Sequence, residues 1–161
     1  MLELGRVVAG AVLPVAAAWS LGRWLLRRFA PPGLILPGVM HFVCGSALLS
    51  AMIFGLAVMG IARPAVLTGV AMLCLTPLWF DRPRFAKPAL PPLWSAIPMV
   101  AFGALYLIHA LAPEIQTDAL NYHLMLPVEA GRTGGFPQSI SFYNLIPQGM
   151  ETLFALAYAV G

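Results

Sequence analysis

Val39-Met40-His41-Phe42-Val43-Cys44-Gly45-Ser46-Ala47-Leu48-Leu49-Ser50-Ala51-Met52-Ile53-Phe54-Gly55-Leu56-Ala57-Val58-Met59-Gly60-Ile61 holds no Asp, Glu, Lys or Arg. A helix needs about 20 apolar residues to cross the hydrocarbon of a bilayer. This stretch is long enough, and only small or weakly polar residues interrupt it. Comparable runs flank it on both sides. One extends from Arg6 to Leu26 and ends on Arg23, Arg27 and Arg28, with Pro31-Pro32-Gly33 as a breaker. Others cover 65–80, 93–112 and 146–161, separated by the Arg63-Pro64 turn and by the polar, proline-rich segment Asp81-Arg82-Pro83-Arg84-Phe85-Ala86-Lys87-Pro88. The expectation is an all-α, polytopic transmembrane helical bundle in one domain, with about five spans over 6–26, 39–61, 65–80, 93–112 and 146–161. At about 1.5 Å per residue the last run hardly crosses a bilayer. That predicts a larger polypeptide or a partner subunit to complete it.

Composition points the same way. Hydrophobic residues make up 60% of the 161 and charged ones 9%, and the mean hydropathy is +0.86. Soluble domains carry about 25% charged residues, and a soluble core of this size could not hide so much apolar surface. The net charge of +3 does not imply nucleic acid, because the basic residues form short clusters between apolar runs, with no aromatic-basic stripe of the kind that grips phosphates. Cys44 and Cys74 lie inside apolar runs and suit small packed hydrophobes, not a disulfide framework or a zinc motif. Ala16-Ala17-Ala18 superficially suggests a leader cleavage site. The weak n-region and the apolar runs that follow favour a retained helix.

Lys and Arg in short loops mark the cytoplasmic side. If every run spans, Arg23, Arg27, Arg28, Arg82, Arg84 and Lys87 share one side, and only Arg6, Arg63 and Arg132 share the other. This six-to-three split puts the first set in the cytoplasm. It predicts a multi-pass protein of the cell (inner) membrane, with the long segment 113–145 extracytoplasmic. Glu3, Glu114, Asp118, Glu129 and Glu151 fall on that outer side too.

Chemistry concentrates in Pro113-Glu114-Ile115-Gln116-Thr117-Asp118-Ala119-Leu120-Asn121-Tyr122-His123-Leu124 and in Asn144-Leu145-Ile146-Pro147-Gln148-Gly149-Met150-Glu151. Ionisable groups against a membrane are costly and tend to mark function. Residues 118–126 read as a short interfacial helix with Leu120, Leu124 and Pro127 on one side, begun by Asp118 and bent or ended by Pro127. Such a helix holds polar groups at headgroup depth.

The order Pro-Glu, Asp, Tyr-His-Leu, Pro, Gly, then Asn-x-x-Pro-Gln-Gly-x-Glu resembles bacterial GT-C superfamily membrane glycosyltransferases, including relatives of protein mannosyltransferase and aminoarabinose transferase. The resemblance covers about 101–157. It implies the N-terminal part of an enzyme that takes a polyprenyl-phosphate-linked sugar donor and transfers the sugar on the extracytoplasmic face. Asp118 matches the family's loop acid. Its implied role is to bind or deprotonate the acceptor hydroxyl, or to hold a divalent metal ion beside the sugar phosphate. Asp118-Ala119-Leu120 lacks the second acid of some members, which leaves the metal open. Glu114, Tyr122, His123 and Glu151 are the candidate substrate-binding residues. The chemistry is coherent: a hydroxyl attacking an anomeric carbon needs a base, and a phosphate leaving group needs positive charge to receive it.

Each candidate also has an ordinary structural role. Asp is a favoured helix N-cap, which suits Asp118 equally. Glu114 can end the fourth helix in water. His123 lies five residues after Asp118, about 140° round a helix, so the two do not form a metal pair. Glu151 opens an apolar run and is expected to turn towards the protein interior or the loop. His41, His109, Trp19, Trp24, Trp79 and Trp94 suit the membrane interface, and Arg27 and Arg28 act as topology signals. The alternative function is a non-enzymatic membrane protein, either a transporter piece or an assembly subunit. It would call for a polar path through the helices, where only Ser20, His41, Ser46, Ser50 and Thr68 are scattered.

Overall fold

The computed structural model describes residues 2–31, 38–80, 93–111, 125–136 and 149–161. They are all-α, with no strand among the described residues. In chain order the helices are α1 (Leu2–Phe29), α2 (Gly38–Val58), α3 (Pro64–Leu75), α4 (Pro77–Phe80), α5 (Leu93–Leu111), α6 (Met125–Thr133) and α7 (Gly149–Val160).

Among the described residues, two helices are long and apolar enough to cross a membrane: Gly5–Phe29 of α1 and all of α2. Shorter apolar stretches occupy Pro64–Phe80, Ala96–Leu105 and Glu151–Val160. The core helix of a soluble protein passes the same length test, but it would be mostly covered. Only 17% of the apolar window of α2 is buried, and Val39, Val43, Phe54 and Val58 are exposed on it.

Helices α1 and α2 make the most extensive contact in the molecule. They run antiparallel, with Gly22 against the His41 carbonyl and Gly45 against the Ala18 carbonyl. A Cβ on Gly45 would also stand 2.6 Å from the Ala18 carbonyl carbon and 2.8 Å from the Gly22 nitrogen. Backbone therefore rests on backbone, as small residues allow where lipid supplies no hydrophobic drive between helices. Ala17, Ala18, Leu21, Leu49, Ile53 and Ala57 bury around this crossing, joined by Leu67, Ala71 and Cys74 from α3.

Helix ends follow local chemistry. At the end of α2, Gly60 N donates to Ala57 O and Ile61 N to Leu56 O, with Gly60 at φ +72°. This is a Schellman stop, which needs the left-handed conformation glycine adopts freely. Arg63 is extended at φ −75° and ψ 153°, and Pro64 takes the first helical position, where its missing N–H costs nothing.

The apolar run at 65–80 is helical, with a lapse of one residue between α3 and α4. The lapse falls at Thr76, whose hydroxyl donates to Leu73 O at 2.8 Å, and Pro77 has no N–H to continue the ladder. Pro127 lies within α6, which continues to Thr133, so the proline does not end that helix. The residues before Met125, with the start expected at Asp118, lie outside the described residues.

Candidate functional site

Helix α6 is fastened to the connection between α2 and α3. Ala62 N donates to Gly134 O at 2.7 Å, and Gly134 N donates back to Ala130 O at 2.9 Å. Gly134 sits at φ +84°, and a Cβ there would stand 2.6 Å from Gly60 O. The Thr133 hydroxyl donates to Glu129 O at 2.9 Å, tying off the last turn. Phe136 stacks at a tilt on Phe54 of α2, centroids 5.2 Å apart. The C-terminal end of α6 and the Arg63 turn therefore share one end of the α1–α2 pair.

Helix α7 is wedged onto that pair near the same end. Thr152 Oγ1 and Ser50 Oγ of α2 share a hydrogen bond of 2.7 Å. Further along, α7 meets Gly10 of α1 so closely that a Cβ there would lie 2.7 Å from Ala157 O. Where α2, α6 and α7 converge, Glu151 is 5% exposed. It is the one buried acid among the described residues. Its neighbours in a small crevice include Ile53, Ala57, Ala62, Pro127 and Phe136. The space there is about 10 Å³, enough for about one water and far too small for a sugar. In this arrangement Glu151 positions α7 against α6, the inward turn expected of it.

The other sequence-derived candidates, Glu114, Asp118, Tyr122 and His123, lie outside the described residues. Among the described residues no three His, Cys, Asp or Glu side chains gather as a metal centre would require.

A second polar group, missed in the sequence, lies at the opposite end of the pair. Arg23 is 8% exposed and its guanidinium carbon sits 5.4 Å over the Trp19 ring. The His41 ring meets the same indole edge-on at 6.1 Å. Ser20 Oγ, Ser46 Oγ and His41 Nδ1 are buried without hydrogen-bond partners among the described residues. Arg23 and Trp19 thus pack on each other, whereas Arg27 and Arg28 are exposed. The available signal was the four-residue spacing of Trp19, Arg23 and Arg27, which puts them on one helix face.

Comparison with family models, with curated proteins and with solved structures finds no match to this chain.

Proposed function

We propose that this chain is a multi-pass protein of the cell (inner) membrane that carries the first outward loop of a glycosyltransferase using a polyprenyl-phosphate-linked sugar donor. The membrane part rests on α1 and α2, whose apolar surface stays largely uncovered by protein. Exposed apolar area on this scale is the mark of a lipid or partner interface. The orientation rests on the charge split: Arg63 and Arg132 go with the outer loop, and Arg23, Arg27 and Arg28 with the cytoplasm. The joining of α6 to the Arg63 turn supports a common side for the outer pair.

One observation carries the glycosyltransferase part: the order Pro-Glu, Asp, Tyr-His-Leu, then Asn-x-x-Pro-Gln-Gly-x-Glu between Pro113 and Glu151. Glu151, the last residue of that order, is buried where α6 meets α7, and an ionisable group withdrawn from water is a functional candidate by default. In the proposed mechanism Asp118 takes the proton from an acceptor hydroxyl as its oxygen attacks the anomeric carbon, and the lipid phosphate leaves. Glu114, Tyr122 and His123 bind the polar parts of donor and acceptor.

The test is Asp118→Asn in the full-length protein, assayed in membranes with a labelled lipid-phosphate sugar. Loss of the general base should slow transfer by about 10²–10⁴-fold with membrane insertion unchanged. Transfer at the parent rate would remove Asp118 from the mechanism. A parent protein with no transfer at all, despite correct insertion, would favour the non-enzymatic reading.

A further inference from the structure

The stretch Thr133-Gly134-Gly135-Phe136 has no part in the chemistry proposed above, yet each of its residues is fastened. Thr133 Oγ1 lies 2.9 Å from both Glu129 O and Gly135 O. Gly134 O accepts from Ala62 N at 2.7 Å, and the φ of +84° at Gly134 is one that glycine adopts freely. A Cβ on Gly134 would stand 2.6 Å from Gly60 O, and one on Gly135 would stand 3.0 Å from Ala57 O. Both glycines therefore lie backbone to backbone on the end of α2. Phe136 then sets its ring on Phe54, about one turn before Ala57, with centroids 5.2 Å apart.

Among the helices, α6 packs chiefly on α7, which carries Glu151. Residues 134–136 tie the same helix to α2 and to the turn before α3. Asp118 lies seven residues before Met125, so even a fully extended chain keeps it within about 25 Å of α6. The seat of α6 therefore limits where Asp118 can stand and how far it lies from Glu151. Misplacing a reacting group by about 1 Å can cost about 10²-fold in rate. We infer that Gly134-Gly135-Phe136 is a latch that fixes the outer segment on the end of α2, with Phe136 as a positioning residue for transfer. Its ring acts through α6: it packs on Phe54 and lines the crevice that holds Ile53, Ala57 and Glu151.

The kinetic half of this inference rests on the proposed transfer activity, and the latch itself does not. The test is Phe136→Ala in the full-length protein in membranes, read in three ways. With the labelled lipid-phosphate sugar, kcat should fall by about 10²-fold while KM for the donor stays at the parent value. Phe136→Leu, which refills the space against Phe54, should recover most of that loss. Hydrogen exchange at the Ala62 amide should quicken about 2–13-fold, as expected for loss of one aromatic pair. Spin labels on cysteines at Val58 and Asn121, in a background free of Cys44 and Cys74, should give one narrow distance in the parent. That distribution should broaden in Phe136→Ala. Gly55→Ala, where an added Cβ meets nothing within 4 Å, should match the parent in every reading.

Unchanged exchange and an unchanged distance in Phe136→Ala would overturn the latch. A broadened distance with kcat at the parent value, or a raised KM with kcat unchanged, would overturn the positioning role. If the parent transfers no sugar, the proposed function fails and the positioning role with it. The exchange and distance readings then still decide the latch.

Discussion

Replacing Gly45 by Ala tests what holds α1 to α2. The added Cβ would stand 2.6 Å from the Ala18 carbonyl carbon and closer still to its oxygen, where ordinary contact begins at 3.4 Å. Neither obstacle is a side chain that can swing aside, since both are backbone. Clearing the carbonyl carbon alone takes about 0.8 Å and the nearer oxygen takes more, so at least about a quarter to a half of each dispersion contact along the crossing is forfeited. Overpacking of this kind costs about 1–3 kcal/mol. Opposing it, Ala is a better helix former than Gly by about 1 kcal/mol, so a net loss of up to about 2 kcal/mol is expected, against a gain of about 1 kcal/mol where nothing obstructs the methyl group. Gly55→Ala is the matched control, with the same propensity gain and no obstacle, and it should be neutral or stabilising. Denaturation in mixed micelles, followed by helicity, gives both values. Equal stabilities for the two variants would refute the backbone-on-backbone crossing.

The other predictions concern the end of the molecule that carries α6. Gly134→Ala forces a side chain into the left-handed region and against Gly60 O, so it should cost at least about 1–2 kcal/mol, read as faster hydrogen exchange at the Ala62 amide. A double-mutant cycle of Ser50→Ala and Thr152→Val should give a coupling of about 0.6 kcal/mol and no more than about 1.7; a coupling of zero would mean that the 2.7 Å contact contributes nothing. Glu151→Gln keeps the shape of the side chain and should preserve the fold, with transfer impaired less than by Asp118→Asn; an equal loss would mean that Glu151 acts on the substrate directly. In a background free of Cys44 and Cys74, cysteines placed at Arg63 and Arg132 should react with an impermeant maleimide from one side of intact cells and a cysteine at Arg28 should not. The reverse pattern would invert the orientation.

The apolar runs alone determined that this chain is helical and where most helices lie, because stretches this long and this poor in charge satisfy their backbone groups only within themselves. Stops such as Gly60 and starts such as Pro64 were legible too, since they depend on the conformational range of single residues. The lapse at Thr76 went unread, although Pro77 in the sequence marks it by its missing N–H.

Tertiary structure decided which faces meet. A helix that is apolar all round, as α2 is, has no stripe in its sequence to say which side is covered. Gly45 was chosen over Gly55 as the crossing because Ala18 and Gly22 of α1 present backbone there and nothing faces Gly55. The inward turn of Glu151 was readable from the cost of exposing a carboxylate to lipid. Its seat between α6 and α7, the Ser50–Thr152 bond and the stacking of Arg23 on Trp19 join residues far apart in the chain or on neighbouring turns. The four-residue spacing allowed Arg23 to reach Trp19, but no spacing rule could settle the contacts between helices, because they exist only once the helices have packed.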